Sequence, residues 1–192
     1  METVSIRDEL MLRAQTYGAL CSLVLQAPDG ESLRALQQAY GAAEGSLASF
    51  VRGLPSDEGA LESVRIDLEA EFRALFQDAS ASSVQPCESA YAEDAGVSAD
   101  SVRRAVSRAY AQAGFQVDEG EDLPADHIGV ELAFMARLVE SRIAAIDEGE
   151  DERAAELARV QRTFLDEHLV PCAIAFCAEL AEPARSDFYR GV

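Results

Sequence analysis

Hydrophobic residues recur along this chain in steps of three and four, the spacing that lines one face of an α-helix. Ile6, Leu10, Ala14, Tyr17, Cys21 and Val24/Leu25 trace such a face, and Pro28-Asp29-Gly30 ends it. A second helix is expected over 31–40 and a short one around 46–53. The clearest stripe is Leu61, Val64, Leu68, Phe72, Leu75 and Phe76, which predicts a helix from about Asp57 to Phe76. From 77 to 97 the pattern fails. "QDASASSVQPCESAYAEDAGV" is small, polar and aperiodic, and Pro86 disfavours helix on either side. A loop this long in a compact domain is usually functional or disordered.

Periodicity returns over Ser98–Ala113 and is stopped by Gly114. An acidic linker, 115–125, leads into helices expected over 126–147 and 151–169. Pro171 should kink or restart the chain into 171–181, and Pro183 should open a last short helix. Strand-like alternation is absent. The reading is an all-α fold of about seven to nine helices in a single domain, 1–192. Its N-terminal half runs over about 1–114, its linker over 115–125 and its C-terminal half over 126–192. The chain has no internal repeat and no sustained heptads.

Charge narrows the function classes. Thirty-five acids face sixteen basic residues, a formal net charge of −19, and all sixteen are arginine. So negative a surface repels phosphate backbones, which argues against nucleic acid as a partner, and it attracts basic partners. The absence of lysine removes the Walker A motif, the lysine Schiff base and the lysine general base. No apolar run approaches the roughly 20 residues that span a bilayer, so stable membrane insertion is not expected. The first residues, "METVSIRD", carry acids where a signal peptide would be basic, which predicts a cytoplasmic protein. Cys21, Cys87, Cys172 and Cys177 form no CxxC and should be reduced and mostly buried.

Candidate chemistry concentrates in "PADHIGVELAFMARL", 124–138. Asp126 is placed to cap the helix that follows. His127, Glu131, Phe134 and Leu138 lie four, three and four residues apart and share a stripe. Metal binding would need further ligands, and His168 is the only other histidine; no metal and no cofactor are expected. Cys87 and Ser89 sit near Glu88 without the signature of an activated nucleophile, so no enzyme activity is expected.

Taken together, "PCESAY" (86–91), after a helix ending "EFRALF" (71–76), and "PADHIGVELAFM" (124–135) resemble the TorD/DmsD family. Its members are cytoplasmic chaperones that mature molybdenum-containing redox enzymes. Pro86, Glu88, Ser89, Pro124, Asp126, His127, Glu131, Leu132, Phe134 and Met135 match the pattern, and "FLDEHLVP" (164–171) looks like a later helix of the family. Leu123 stands where the pattern has glutamate, and the tryptophans of many relatives are missing. The resemblance implies a TorD-like helical fold and a partner: the apo form of a molybdoenzyme catalytic subunit with its twin-arginine signal peptide. It also implies a monomer or a dimer made by exchanging C-terminal halves, with 115–125 as hinge. A receptor for a basic and then apolar peptide needs an apolar groove with carboxylates at one end. The expected peptide site is therefore Leu75, Phe76, Tyr91, Phe134 and Leu138 as wall, with Glu88, Asp126 and Glu131 as guanidinium acceptors. Pro86, Ser89, Pro124 and His127 complete it. Two alternatives stand beside this: an assembly chaperone of the NarJ type for a respiratory reductase without an exported signal, and a non-catalytic helical adaptor or subunit.

Overall fold

The computed structural model describes residues 5–41, 43–78, 83–92, 96–116 and 123–191, and helices account for nearly all of their regular structure. α1 spans Ile6–Leu25. Asp29 then caps α2 (Gly30–Tyr40), its carboxylate accepting from the Ser32 amide at 2.7 Å. α3 (Ser46–Arg52) is short. Asp57 caps α4 (Glu58–Phe72) through the Ala60 amide at 2.9 Å. The segment expected as a long loop contains a further short helix, α5 (Glu88–Ala92); residues 79–82 and 93–95 of it lie outside the described residues. Ser98 caps α6 (Ala99–Gln112), and Gly114, at φ +84°, turns the chain out of it. α7 (Ile128–Asp147), α8 (Asp151–Phe164), α9 (Val170–Leu180) and α10 (Asp187–Gly191) complete the order.

Two π turns extend these helices. Arg73–Gln77 continues α4, and Leu165–Leu169 joins α8 to α9 without a break. Counted as continuous stretches, there are nine helices among the described residues, and the all-α reading holds. Pro171 does not interrupt the chain as expected. Just before it, the Val170 amide donates to the Leu165 carbonyl, a five-residue step that widens the helix. Pro183 does not open the last helix either. That helix starts at Asp187, where the Ser186 hydroxyl accepts from the Tyr189 amide.

The helices form two compact units, each drawn from segments far apart in sequence. The first comprises 1–21 and 86–175, the second 22–85 and 176–192. In the first, α7 packs on α8 around Tyr110, Phe134 and Phe164, whose ring centroids lie 4.5 to 5.7 Å apart. Met135, Leu138 and Val139 are fully buried beside them. In the second, α3 lies against α2 and α10. A Cβ on Gly191 would collide with the Leu47 backbone, so this approach requires glycine. Phe76 packs there against Phe72, Phe176 and Tyr189. Of the expected hinge, 117–122 lies outside the described residues.

Candidate functional site

Both sequence motifs lie in the first unit, and the backbone ties them together. Cys87 and His127 form an isolated antiparallel bridge. The Glu88 amide donates to the Asp126 carbonyl at 2.9 Å, and the Ile128 amide to the Pro86 carbonyl at 2.8 Å. Thus the free amides that open α5 and α7 find acceptors in each other's lead-in residues. Pro86 and Pro124 suit these positions, since neither spends an amide there, while the Pro124 carbonyl accepts from His127.

The cap of α7 is His127, one residue later than expected. Its Nδ1 accepts from the Gly129 amide at 3.0 Å. An accepting Nδ1 means a neutral ring with its proton on Nε2. Burial also lowers the His127 pKa, outweighing the opposite pull of Asp126, so the ring stays neutral near pH 7. The carboxylate of Asp126 instead crosses to the other motif. Fully buried, it accepts from the Ser89 amide at 2.9 Å and from Arg103 Nε at 3.3 Å. The reason is geometric: a side chain engaged at the first turn of α5 is not available to the first turn of α7.

One turn into α7, Glu131 is wholly buried, and among the described residues neither carboxyl oxygen has a hydrogen-bond partner. Burial pushes its pKa up to about 9, helped by the negative charges of Glu88 and Asp126. At neutral pH Glu131 is therefore a neutral acid. Glu88 in turn meets His168 Nδ1 at 3.0 Å, a pair with side chains only 12% and 17% exposed. The same burial, with nearby carboxylates, pushes the Cys87 thiol up to about 11 and raises Cys172 and Tyr110 as well. The thiols are thus poor nucleophiles. Tyr110 spends its hydroxyl on the Ala125 carbonyl at 2.8 Å. Of the four free cysteines only Cys172 is fully buried, and Cys177 is exposed.

Pro86, Glu88, Ser89, Pro124, Asp126, His127 and Glu131 thus form one cluster. Tyr91 is half-buried one turn further along α5. Phe134 and Leu138 belong to the core behind it, while Leu75 is buried in the second unit, where the half-buried Phe76 packs on Tyr189. Sequence reasoning missed Arg103, Tyr110 and His168. Arg103 and Tyr110 were ordinary positions on an amphipathic helix. His168 stood 80 residues from its partner.

The family described as nitrate reductase delta subunit matches residues 33–178, a span holding both motifs and their partners. This chain belongs to that family. Its similarity to chaperones of the TorD group, read from the motifs, is borne out. It is 30% identical over 127 residues to the chaperone protein TorD of Photobacterium profundum, covering 66% of this chain and 56% of that protein. It is also 30% identical over 129 residues to the chaperone protein TorD of Vibrio parahaemolyticus, covering 67% and 58%. The chain thus spans little more than half the length of these relatives. Among the described residues, no helix is long and apolar enough to cross a membrane.

Proposed function

We propose that this protein is a non-catalytic cytoplasmic chaperone. It holds the apo form of a molybdopterin-containing oxidoreductase and the enzyme's twin-arginine signal peptide, assists cofactor insertion and delays export until folding is complete. Family membership supports the chaperone role. The observation that carries the peptide site is the joining of 86–92 to 124–131, which gathers three carboxyl groups around one short helix.

These acids divide the work. Asp126 is occupied by the Ser89 amide and Arg103, and Glu131 is neutral and enclosed, so both shape the site from behind. Glu88 is the acid that retains some exposure, and with Tyr91 it forms the face offered to a client arginine. A partly exposed arginine–carboxylate pair contributes about 0–1 kcal/mol, whereas burying one client leucine contributes about 1.5–3 kcal/mol. Affinity therefore comes from the apolar part of the client, while the negative surface sets speed and register.

The family description favours a second reading, an assembly chaperone for a respiratory reductase without an exported signal. Calorimetry with a molybdoenzyme encoded beside this gene separates the two, using the full client, the client without its N-terminal segment and the segment alone. Binding of the isolated segment supports the first reading. Binding that survives loss of the segment supports the second. A client that stays bound after maturation would make the protein a subunit instead.

A further inference from the structure

A client whose affinity is mainly apolar needs an apolar wall, and most residues expected to form it are turned inward. Phe134 and Leu138 lie in the core of the first unit, and Leu75 is buried in the second. α9 offers an exposed alternative. A surface helix ordinarily carries polar side chains on its outward face, and one that is apolar all round is ordinarily buried. Over 170–175, the part of α9 in the first unit, the sequence is "VPCAIA", without a charge or a hydroxyl. Cys172 faces inward, while Val170, Pro171 and Ile174 face solvent. Val170 and Ile174, four residues apart, are neighbours on one face. Val170 is 44% exposed and Ile174 68%, the greatest exposure of a large hydrophobic side chain among the described residues.

We propose that this outward face of α9 receives the apolar segment of the client peptide while Glu88 receives its arginine. The inference rests on the peptide-binding reading above and assigns the wall that reading needs. Position makes the first argument. His168, just before the start of α9, meets Glu88 at 3.0 Å, so the apolar face begins beside the acid offered to a client arginine. Ile174 stands six residues beyond His168, about 9 Å along a helix axis. About three residues of extended chain cover that distance. The fitting client therefore places its first apolar side chain about three residues after its arginine.

Charge makes the second argument and selects the occupant. Asp166 and Glu167, both exposed, stand with Glu88 at the near end of the face, and no charge follows over 170–175. Acidic and then apolar is the complement of a segment that is basic and then apolar. The net charge of −19 opposes the other bodies that could cover an apolar helix face. A second copy of this chain would bring the same negative charge, and an anionic lipid surface would repel it, whereas a basic peptide is attracted.

The test titrates the full-length protein into fluorescein-labelled synthetic peptides, read by fluorescence anisotropy. The first peptide has two arginines, a short glycine-serine spacer and a run of leucine and alanine. A second has serine for every leucine, and a third has glutamine for both arginines. The parent should bind the first most tightly. Ile174→Ser should weaken that binding about tenfold and Val170→Ser about threefold, with unchanged melting because both side chains are exposed. Ile174→Leu should preserve it. Leu12→Ser removes a side chain 66% exposed on α1 and should have no effect. Glu88→Gln should weaken the first peptide and spare the third, whereas Ile174→Ser should weaken both. A benzophenone in the leucine run should label the tryptic fragment 163–185, which carries α9 because cleavage falls at Arg162 and Arg185. If the parent binds no peptide at about 300 μM, where a site of roughly 30 μM affinity would be nearly full, the peptide-binding reading fails and this inference with it. If the parent binds but the two α9 serine variants bind as Leu12→Ser does, or the label falls outside 163–185, the peptide-binding reading stands and the placement on α9 is overturned.

Discussion

Replacing Glu131 by glutamine keeps the shape of the side chain and removes its ability to ionise. In the folded protein this carboxyl is enclosed, unpartnered and raised to about 9 from an ordinary 4.5. A carboxyl raised by folding binds its proton more tightly in the native state, so it costs stability as pH rises. The loss begins above the unfolded value near 4.5 and continues to about 9. Each pH unit in that window removes up to about 1.4 kcal/mol. Between about pH 6 and about pH 8 the group should therefore cost up to about 2.7 kcal/mol, or about 1.5 kcal/mol if the site relaxes around the charge. Glu131→Gln lacks this slope. The substitution itself should cost about 0–2 kcal/mol at low pH. Urea melts of both proteins across this range should show the variant gaining on the parent as pH rises. The infrared carbonyl band of a protonated buried carboxyl should be present in the parent at pH 7 and absent from the variant. A stability difference that stays constant within about 0.5 kcal/mol from pH 6 to pH 8 would mean that Glu131 is ionised in the fold, and the reasoning would fail.

Asp126→Asn keeps an acceptor for the Ser89 amide and should cost about 1–3 kcal/mol, while Asp126→Ala, which strands that amide and Arg103, should cost about 3–5 kcal/mol; chemical denaturation distinguishes them. His127→Ala should cost about 1 kcal/mol through the lost helix cap, measured the same way, with hydrogen exchange accelerated in the first turn of α7. Tyr110→Phe should cost about 0.5–1.5 kcal/mol for its bond to Ala125. If the negative surface steers a basic client, stopped-flow association should slow as ionic strength rises from about 0.02 to about 0.5 M while dissociation changes less. An unchanged association rate would assign the charge to solubility alone.

The sequence by itself determined the helices and where most of them start and stop. Spacing placed Leu61, Leu68, Phe72 and Leu75 on one buried face, and Asp29, Asp57, Ser98 and Gly114 mark ends that the structure reproduces. These signals are local, carried by residues within one or two turns of each other. Local signals also sufficed for the two motifs as patterns, and hence for the family. They failed where partners are remote. Asp126 stands in a good position to cap α7, and only the docking of 86–89 beside it decides that its carboxylate serves Ser89 while His127 takes the cap. Glu131 reads as an acid on a helix stripe; its burial, beside the charges of Glu88 and Asp126, makes it neutral. The division into two units, with each unit assembled from two segments far apart in sequence, likewise belongs to tertiary structure. Periodicity states which face of a helix is buried. Which other segment buries it, and what that burial does to a proton, depends on contacts that sequence spacing does not encode.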